Sequence, residues 1–444
     1  MIRAIQALLL AASLLTRLPV AQAEAPPSRA HDLERARSGY VESSLAFSAA
    51  ARARASRFID SKLAKADTMS REEFVLCVMA ITAFADNGHD GLDDEDGAWY
   101  PSSRLPLRMI WFADGWVVAR AAPEQAELLG ARVLRIEGLS PAAMLVRLRH
   151  FVGGIDAYRR WDGEWLIENA GMLHAMGVAK SAAGLKLELR LRDGRRVERT
   201  IPFAPGDSMP PGAGPVRVWV PMLLPGEAEK GWRAAIAEPV PLYLEDGMKA
   251  HRAQALPELG AVYVEFRSHL DSPEETIAAL THGVDELIAA SKPRHLIVDL
   301  RFDTGGNSDL TRDWVKDVVT RVPGTIYLLT GPYTFSAGIV TAGAFKHDGA
   351  RRVRIIGEGV GDRLRFTSEG RDECLPFSHY CPHVTTGTWD LVRGCAGEPG
   401  CYGDRYAVTV GTLAPDVPAP LTAAAWLAGR DPALEAVRKE IIRR

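Results

Sequence analysis

The sequence predicts an α/β core built on a parallel sheet, preceded by a small β-rich domain and a helical N-terminal segment. Three observations carry that prediction. In the C-terminal half, the short apolar runs AVYVEF, HLIVDLR, TIYLLT and RRVRIIG alternate with stretches of helical period at 273–291, at 310–321 and from Ser336 onward. Such alternation marks parallel strands joined by crossover helices. Between 108 and 203 the period changes: RMIWF, GWVVAR and ARVLRIEG read as short strands between turns, and Leu185, Leu187, Leu189 and Leu191 alternate before an Asp193-Gly194 hairpin turn. Upstream, Ala, Arg and Leu dominate 33–66 with Gly39 as the lone turn residue, which predicts a helix.

Composition narrows the function classes. The chain has 444 residues, 53 Lys+Arg against 56 Asp+Glu, 47% hydrophobic and 25% charged residues, which excludes disordered, collagen-like and multi-span membrane proteins. With a formal charge of -3 and no basic block, nucleic acid is excluded as a partner class. The first residues carry Arg3, an apolar run from Ala4 to Leu15 and a small-x-small site at Ala21-Gln22-Ala23. They read as a signal peptide over 1–23, too short for a membrane span, so the mature protein is expected to be exported, periplasmic or secreted.

The domain organisation follows: signal peptide 1–23, helical segment 24–104, β-rich domain 105–203, linker 204–255 opening on the Pro/Gly-rich stretch 204–217, and core domain 256–444. In the helical segment Ser70-Arg71-Glu72-Glu73 is a capping box, Phe74, Cys77, Val78, Ile81 and Phe84 recur at helical spacing, and Asn87-Gly88 supplies the stop. His89 therefore emerges in a loop just past a helix. Inside the β-rich domain, 145–180 is a polar and aromatic insertion without clear period.

Export into an oxidising compartment makes two disulfides the expectation for Cys374, Cys381, Cys395 and Cys401, in any of three connectivities. A zinc site of these thiolates with His379 and His383 is the alternative. Cys77, on the apolar face of its helix, reads as a buried free thiol.

Two strand ends could carry chemistry, since reacting groups in such sheets gather at the carboxyl ends of the strands. Ser336 opens a helix directly after a strand and the Gly331-Pro332 turn, a position suited to a nucleophile but equally to a helix cap. The Gly305-Gly306 pair allows a backbone N–H to turn inward, and with the N–H of Ala337 it would form a two-donor oxyanion hole.

HLIVDLRFDTGGN followed by IYLLTGPYTFSAGIVTAGAFKHDGARRVRIIGEGVGD resembles the core of the C-terminal-processing (tail-specific) serine peptidases. Asp299, Arg301, Gly305 and Gly306 match that family's D-x-R-x-N-x-G-G strand end, Ser336-Ala337 its x-S-A turn, and Gly357-Glu358 its G-E strand end. The resemblance implies a crotonase-like (ClpP/crotonase) core, a nucleophile at Ser336 and no cofactor or metal. WVVARAAPEQAELLGARVLRIEGLSPAAM is similar to part of a PDZ module, with Gly130 and Gly138 matching and Ala131 where Asp is usual. In relatives such a module takes substrate C-termini by strand addition, so the implied partner is a polypeptide, and the 145–180 insertion is placed to remodel that groove.

The general base departs from the Ser/Lys branch. Arg363 stands nearest the usual lysine, and arginine stays protonated at any working pH. In the tricorn-like Ser/His branch the base is a histidine following an N-terminal helix, and Asp86-Asn87-Gly88-His89 matches that arrangement. For the acid that orients His89, VTVGTLAPDVP offers Thr409 where that branch has Glu, so Glu369 in FTSEG is the substitute, with Asp86 behind it. Glu358 is read as structural, Asp90, Asp93, Asp94, Glu95 and Asp96 as a solvated acidic loop, and Trp111, Phe112, Trp116, Trp161 and Trp165 as core. The expected function is an exported serine-type peptidase. The alternative is a non-catalytic peptide- or ligand-binding protein on the same fold.

Overall fold

The computed structural model describes residues 27–94, 103–181, 183–205, 223–224, 226–236, 239–403 and 407–443. The expected signal peptide, most of the 204–217 stretch, and Glu95 and Asp96 lie outside the described residues.

The N-terminal segment holds α1 (Arg29–Arg35), which continues as a π-helical turn to Val41, then α2 (Ala49–Leu63) and α3 (Arg71–Ala83). The single helix expected over 33–66 is interrupted at 42–48. Serines cause the break: Ser48 caps α2 through the Ala51 N–H, and Ser44 turns its hydroxyl to Asp90 at 2.8 Å, both competing with helix continuation. Arg52 donates to the Ser44 carbonyl at 2.8 Å, satisfying the exposed end. The capping box at α3 forms as read, with the Ser70 hydroxyl accepting from Glu73 N–H and the Glu73 carboxylate from Ser70 N–H. The left-handed residue that stops the chain is Asp86, with φ 51°.

Strand β1 (Leu92–Asp94) precedes a short pairing of β2 (Ser103–Arg104) with β8 (Ala204–Pro205). The β-rich domain is an antiparallel sheet of β3 (Leu107–Phe112), β4 (Gly115–Ala121), β5 (Arg132–Ile136), β6 (Gly184–Arg190) and β7 (Arg196–Pro202), with β9 (Arg233–Ala234) paired to β4. Leu185, Leu187 and Leu189 point into its core as their alternation demands. The region between β5 and β6, without clear period in the sequence, folds into α4 (Pro141–Leu148), α5 (Asp156–Asp162) and α6 (Ala170–Ala175), with α4 and α6 capped by Ser140 and Asn169. Helices this short carry too few turns to show a period; their caps were the available signal.

In the core, β10 (His251–Leu256), β11 (Ala261–Phe266), β12 (His295–Asp299), β13 (Ile326–Thr330), β14 (Val353–Gly357) and β17 (Val417–Pro418) form one sheet in that order, antiparallel between β10 and β11 and parallel thereafter. Crossovers α7 (Ile277–Ser291), α8 (Asp309–Arg321) and α9 (Ala337–Gly349) cover one face, burying Val262, Val264, Leu296, Val298 and Leu328. Tyr263, Ile297, Tyr327 and Ile356 turn to the other face, under the helix α11 (Pro432–Ile442) that follows the short α10 (Ala423–Leu427). A separate sheet joins β15 (Arg365–Asp372) and β16 (Tyr380–Asp390) to β1.

Cys374 bonds Cys381 and Cys395 bonds Cys401, the sequential one of the three connectivities. With all four sulfurs paired, the zinc alternative falls, and among the described residues no His, Cys, Asp or Glu cluster could hold a metal. Cys77 is free and buried.

Candidate active site

His89 packs against Phe335, the residue before Ser336, where the N-terminal segment meets the core. Ser336 sits at the N-cap of α9 with φ 50° and ψ -121°, a sparsely populated backbone conformation for a side-chain-bearing residue, and its hydroxyl makes no cap hydrogen bond. Capping is therefore not its role. A strained serine at a strand-to-helix turn has its hydroxyl left over for other work.

The turn before it is locked from behind. Thr334 donates its hydroxyl to Leu300 O at 2.7 Å and accepts Gly331 N–H at 3.0 Å, while Phe335 N–H reaches Asp303 O at 2.9 Å. Phe335 itself points away from the core sheet into the cluster formed by the N-terminal helices and the β-rich domain. There the imidazole of His89 stacks on its ring, with centroids 4.4 Å apart and planes 23° apart. Phe366 of β15 stacks on the imidazole from 5.0 Å.

The loop that presents His89 is fixed at both ends. Asp86 accepts from Arg159 at 2.8 Å and from Arg363 at 2.7 Å, so the arginine in the usual lysine position holds the histidine loop. Asp90 is not solvated as expected: it is 2% exposed and accepts from Tyr40 at 3.0 Å, Ser44 at 2.8 Å, Asn87 at 2.7 Å and Thr385 at 3.1 Å. Four donors satisfy a carboxylate that burial would otherwise make costly, which ties His89 to the N-terminal segment and to β16.

Both His89 ring nitrogens are buried and without a hydrogen-bond partner. Desolvation between two phenyl rings, with His383 nearby adding a smaller effect, pushes its pKa down to about 3. A neutral imidazole is the form a general base requires. His89 Nδ1 lies 3.8 Å from Asp362 Oδ2, and the Asp362 side chain is 1% exposed. Burial raises Asp362 to about 6, partly offset by Oδ1 accepting Arg363 N–H at 2.7 Å. Its turn is bound to the serine turn by Gly361 N–H donating to Thr334 O at 2.8 Å.

Glu369 is exposed, lies in a left-handed kink at φ 46°, and binds Trp389 Nε1 at 3.1 Å and Ser368 Oγ at 2.6 Å. It makes no hydrogen bond to His89, and Asp362 is the acid that faces the ring. The sequence signal for it is GEGVGD, an acid five residues past the end of β14, just before Arg363. Glu358 accepts Leu421 N–H at 3.0 Å, a structural contact. Among the tryptophans, Trp111 and Trp116 pack against each other at 4.5 Å, whereas Trp161 reaches Phe335 at 5.9 Å beside Tyr158 at 4.9 Å.

Gly305 and Gly306 have φ 103° and 134°, reserved for glycine, and a Cβ on Gly305 would stand 2.5 Å from the Ser336 Cβ. The Gly305 N–H is engaged, donating to Asp303 Oδ1 at 3.1 Å. Gly306 pairs with His269 in a parallel bridge whose hydrogen bonds run from His269 N–H to Gly305 O and from Asn307 N–H to His269 O. The Gly306 N–H therefore faces the opposite side. Ala337, at the first helical position, has an N–H with no preceding turn to bond it.

No family model matches the sequence, and no curated protein matches it. Solved structures match in fold. Mature CPAF complexed with lactacystin aligns with TM-score 0.55 at 12% identity, over 93% of this chain and 97% of that one. A CPAF mutant aligns with TM-score 0.59 at 11% identity over 93% and 96%, and mature CPAF with 0.51 at 13% over the same shares. The chain thus has the fold of CPAF along nearly its whole length.

Proposed function

We propose that this protein is an exported serine-type peptidase in which Ser336 is the nucleophile, His89 the general base and Asp362 the group that orients His89. In the first half-reaction Ser336 Oγ bonds the peptide carbonyl carbon as its proton passes to His89 Nε2. The C–N bond then breaks as His89 returns that proton to the leaving amine. Water, deprotonated by the same imidazole, bonds the acyl carbon, and the bond to Ser336 Oγ breaks as His89 returns that proton to Oγ. The N–H groups of Ala337 and Gly306 receive the negative charge that develops on the carbonyl oxygen. Glu369 has no part in this scheme, and Gly305 serves by approach rather than by its N–H.

The observation that carries the reading is the stacking of His89 on Phe335, the residue next to Ser336, by a loop from the far end of the sequence. The match in fold to mature CPAF complexed with lactacystin accords with it. The finer architecture belongs to the same proposal: a crotonase-like core over 256–444, a PDZ-like domain over 105–203 that takes a polypeptide C-terminus, and a signal peptide over 1–23. Two disulfides accord with export.

One observation favours the non-catalytic alternative: the sealed His89 nitrogens make no bond to Ser336. Labelling the mature protein with a fluorophosphonate probe and mapping the adduct by mass spectrometry decides. Stoichiometric adduct on Ser336, lost in Ser336→Ala and His89→Ala, is expected. No labelling of folded protein sinks the peptidase reading in favour of a binding protein.

A further inference from the structure

A second histidine lies directly behind the Gly305–Gly306 turn. The side chains of His269 and Asp303 are 0% exposed, with His269 Nδ1 hydrogen-bonded to Asp303 Oδ1 at 3.1 Å and 2.9 Å from Oδ2. On the other side of the ring, Nε2 is 2.9 Å from Thr341 Oγ1 of α9, which lies 3.0 Å from Thr311 Oγ1 of α8. Phe266 stacks on the imidazole at 5.4 Å. Carboxylate oxygens accept, so Nδ1 donates to Asp303, and with the donor there Nε2 accepts from the Thr341 hydroxyl. With Thr341 donating to Nε2, Thr311 is the donor to Thr341. Thr341 is 2% exposed and bonded on both sides, so this line is no second catalytic triad.

Asp303 joins the two halves of the candidate oxyanion hole. Its Oδ1 accepts Gly305 N–H at 3.1 Å, and its backbone carbonyl accepts Phe335 N–H at 2.9 Å, one residue before Ser336. His269 also holds the loop through its own backbone, donating to Gly305 O at 2.7 Å and accepting from Asn307 N–H at 2.8 Å.

We propose that His269 is a positioning residue: through Asp303 it fixes the Gly305 peptide so that the Gly306 N–H, with that of Ala337, is presented to the oxygen of the group bound at Ser336. The physical reason lies in the two glycines. Each could turn its peptide at little steric cost, and a turned peptide would put a carbonyl where the hole needs a donor. The Gly305–Gly306 peptide is held by the His269 backbone N–H on Gly305 O at 2.7 Å, and the peptide before it by the fully buried Asp303 carboxylate, which keeps its orientation only while it has a partner. His269 is that partner.

This inference rests on the Ser336 reading, and two readouts separate the failures: the rate of fluorophosphonate labelling, and solvent exchange of the Gly305 amide in glycine-labelled protein followed by NMR. His269→Phe keeps a flat ring but no donor. It is expected to label about 10- to 100-fold more slowly, part of what losing a hole donor costs, at unchanged half-saturation by the probe, with Gly305 exchange raised at least about tenfold as its bond to Asp303 is lost. His269→Asn, whose amide N–H can stand in for Nδ1–H, is expected to recover labelling to within about threefold of wild type. A folded His269→Phe with wild-type labelling and wild-type exchange overturns the proposal. Should that variant not fold, Thr341→Val carries the test, since it leaves the ring in place with Nε2 unpaired; unchanged labelling and exchange there overturn it equally. Wild-type protein that takes up no probe refutes the Ser336 reading instead, and the exchange measurement then still decides whether His269 holds the loop.

Discussion

Replacing Asp362 by Asn should lower reactivity and raise stability together, a pairing that simple damage to the fold does not produce. Asp362 is 1% exposed, its Oδ2 has no hydrogen bond, and burial raises its pKa to about 6 from an ordinary 3.8. A carboxyl group whose folded pKa is raised binds its proton more tightly in the folded state. Stability is therefore lost as pH rises from 3.8 through about 6. A shift of roughly two units corresponds to about 3 kcal/mol by pH 7, which Asp362→Asn should regain at pH 7.5 and not at pH 3.5.

The reactive step runs the other way. When His89 takes the Ser336 proton it becomes a cation 3.8 Å from Asp362 Oδ2. At that distance an ionised carboxylate is worth up to about 4 kcal/mol at an effective dielectric constant of about 20, a ceiling of about three decades in rate. Labelling of Ser336 in wild type should rise through about pH 6 as Asp362 ionises, because His89, held down to about 3, is already neutral there. In Asp362→Asn the rate should fall about 100- to 1000-fold and the inflection near pH 6 should vanish. Guanidinium unfolding midpoints and labelling rates, each measured from pH 3.5 to 8, supply both readouts. A variant that keeps the inflection and labels within about threefold of wild type would refute the assignment, since so small a change corresponds to less than 1 kcal/mol.

Gly305→Ala should abolish Ser336 labelling and lower the melting temperature, because its new Cβ would stand 2.5 Å from the Ser336 Cβ at a φ of 103°; a Cys scan elsewhere in the loop that labels normally would serve as control. Asp90→Ala strands four buried donors and removes the anchor of the His89 loop, costing about 3 kcal/mol or more in a denaturant titration, with reactivity falling at temperatures where the protein remains folded. Peptide mapping without reduction should recover Cys374 with Cys381 and Cys395 with Cys401, and leave Cys77 unmodified by iodoacetamide until denaturant is added. Opening both of these small loops by reduction should cost about 2 kcal/mol each.

The core was legible because its strands are short, apolar and separated by helices of full length: in 261–266, 295–299 and 326–330 the alternate residues fill the two faces of one sheet, and the turn chemistry at Gly305 and Ser336 is local to each strand end. The helices of 141–175 were not, since six to eight residues carry too little period, and the break at 42–48 depends in part on Ser44, whose partners Asp90 and Thr385 lie elsewhere in the chain.

The site divides along the same line. Ser336 and His89 announce themselves through neighbours in sequence, a strand before the one and a helix before the other. The acid is defined only by what folding brings against the imidazole. Glu369 stands three residues from Phe366, which does touch His89, but the left-handed kink at Glu369 hands its carboxylate to Trp389 instead. Asp362 reaches the ring because Gly361 is bound to the serine turn and Asp86 is clamped by the next residue, Arg363. The arginine that removes the lysine base thus holds in place the loop carrying the histidine. The acid beside it faces that histidine, so in the proposed scheme one dipeptide, Asp362-Arg363, stands where the lysine would and holds the histidine in place.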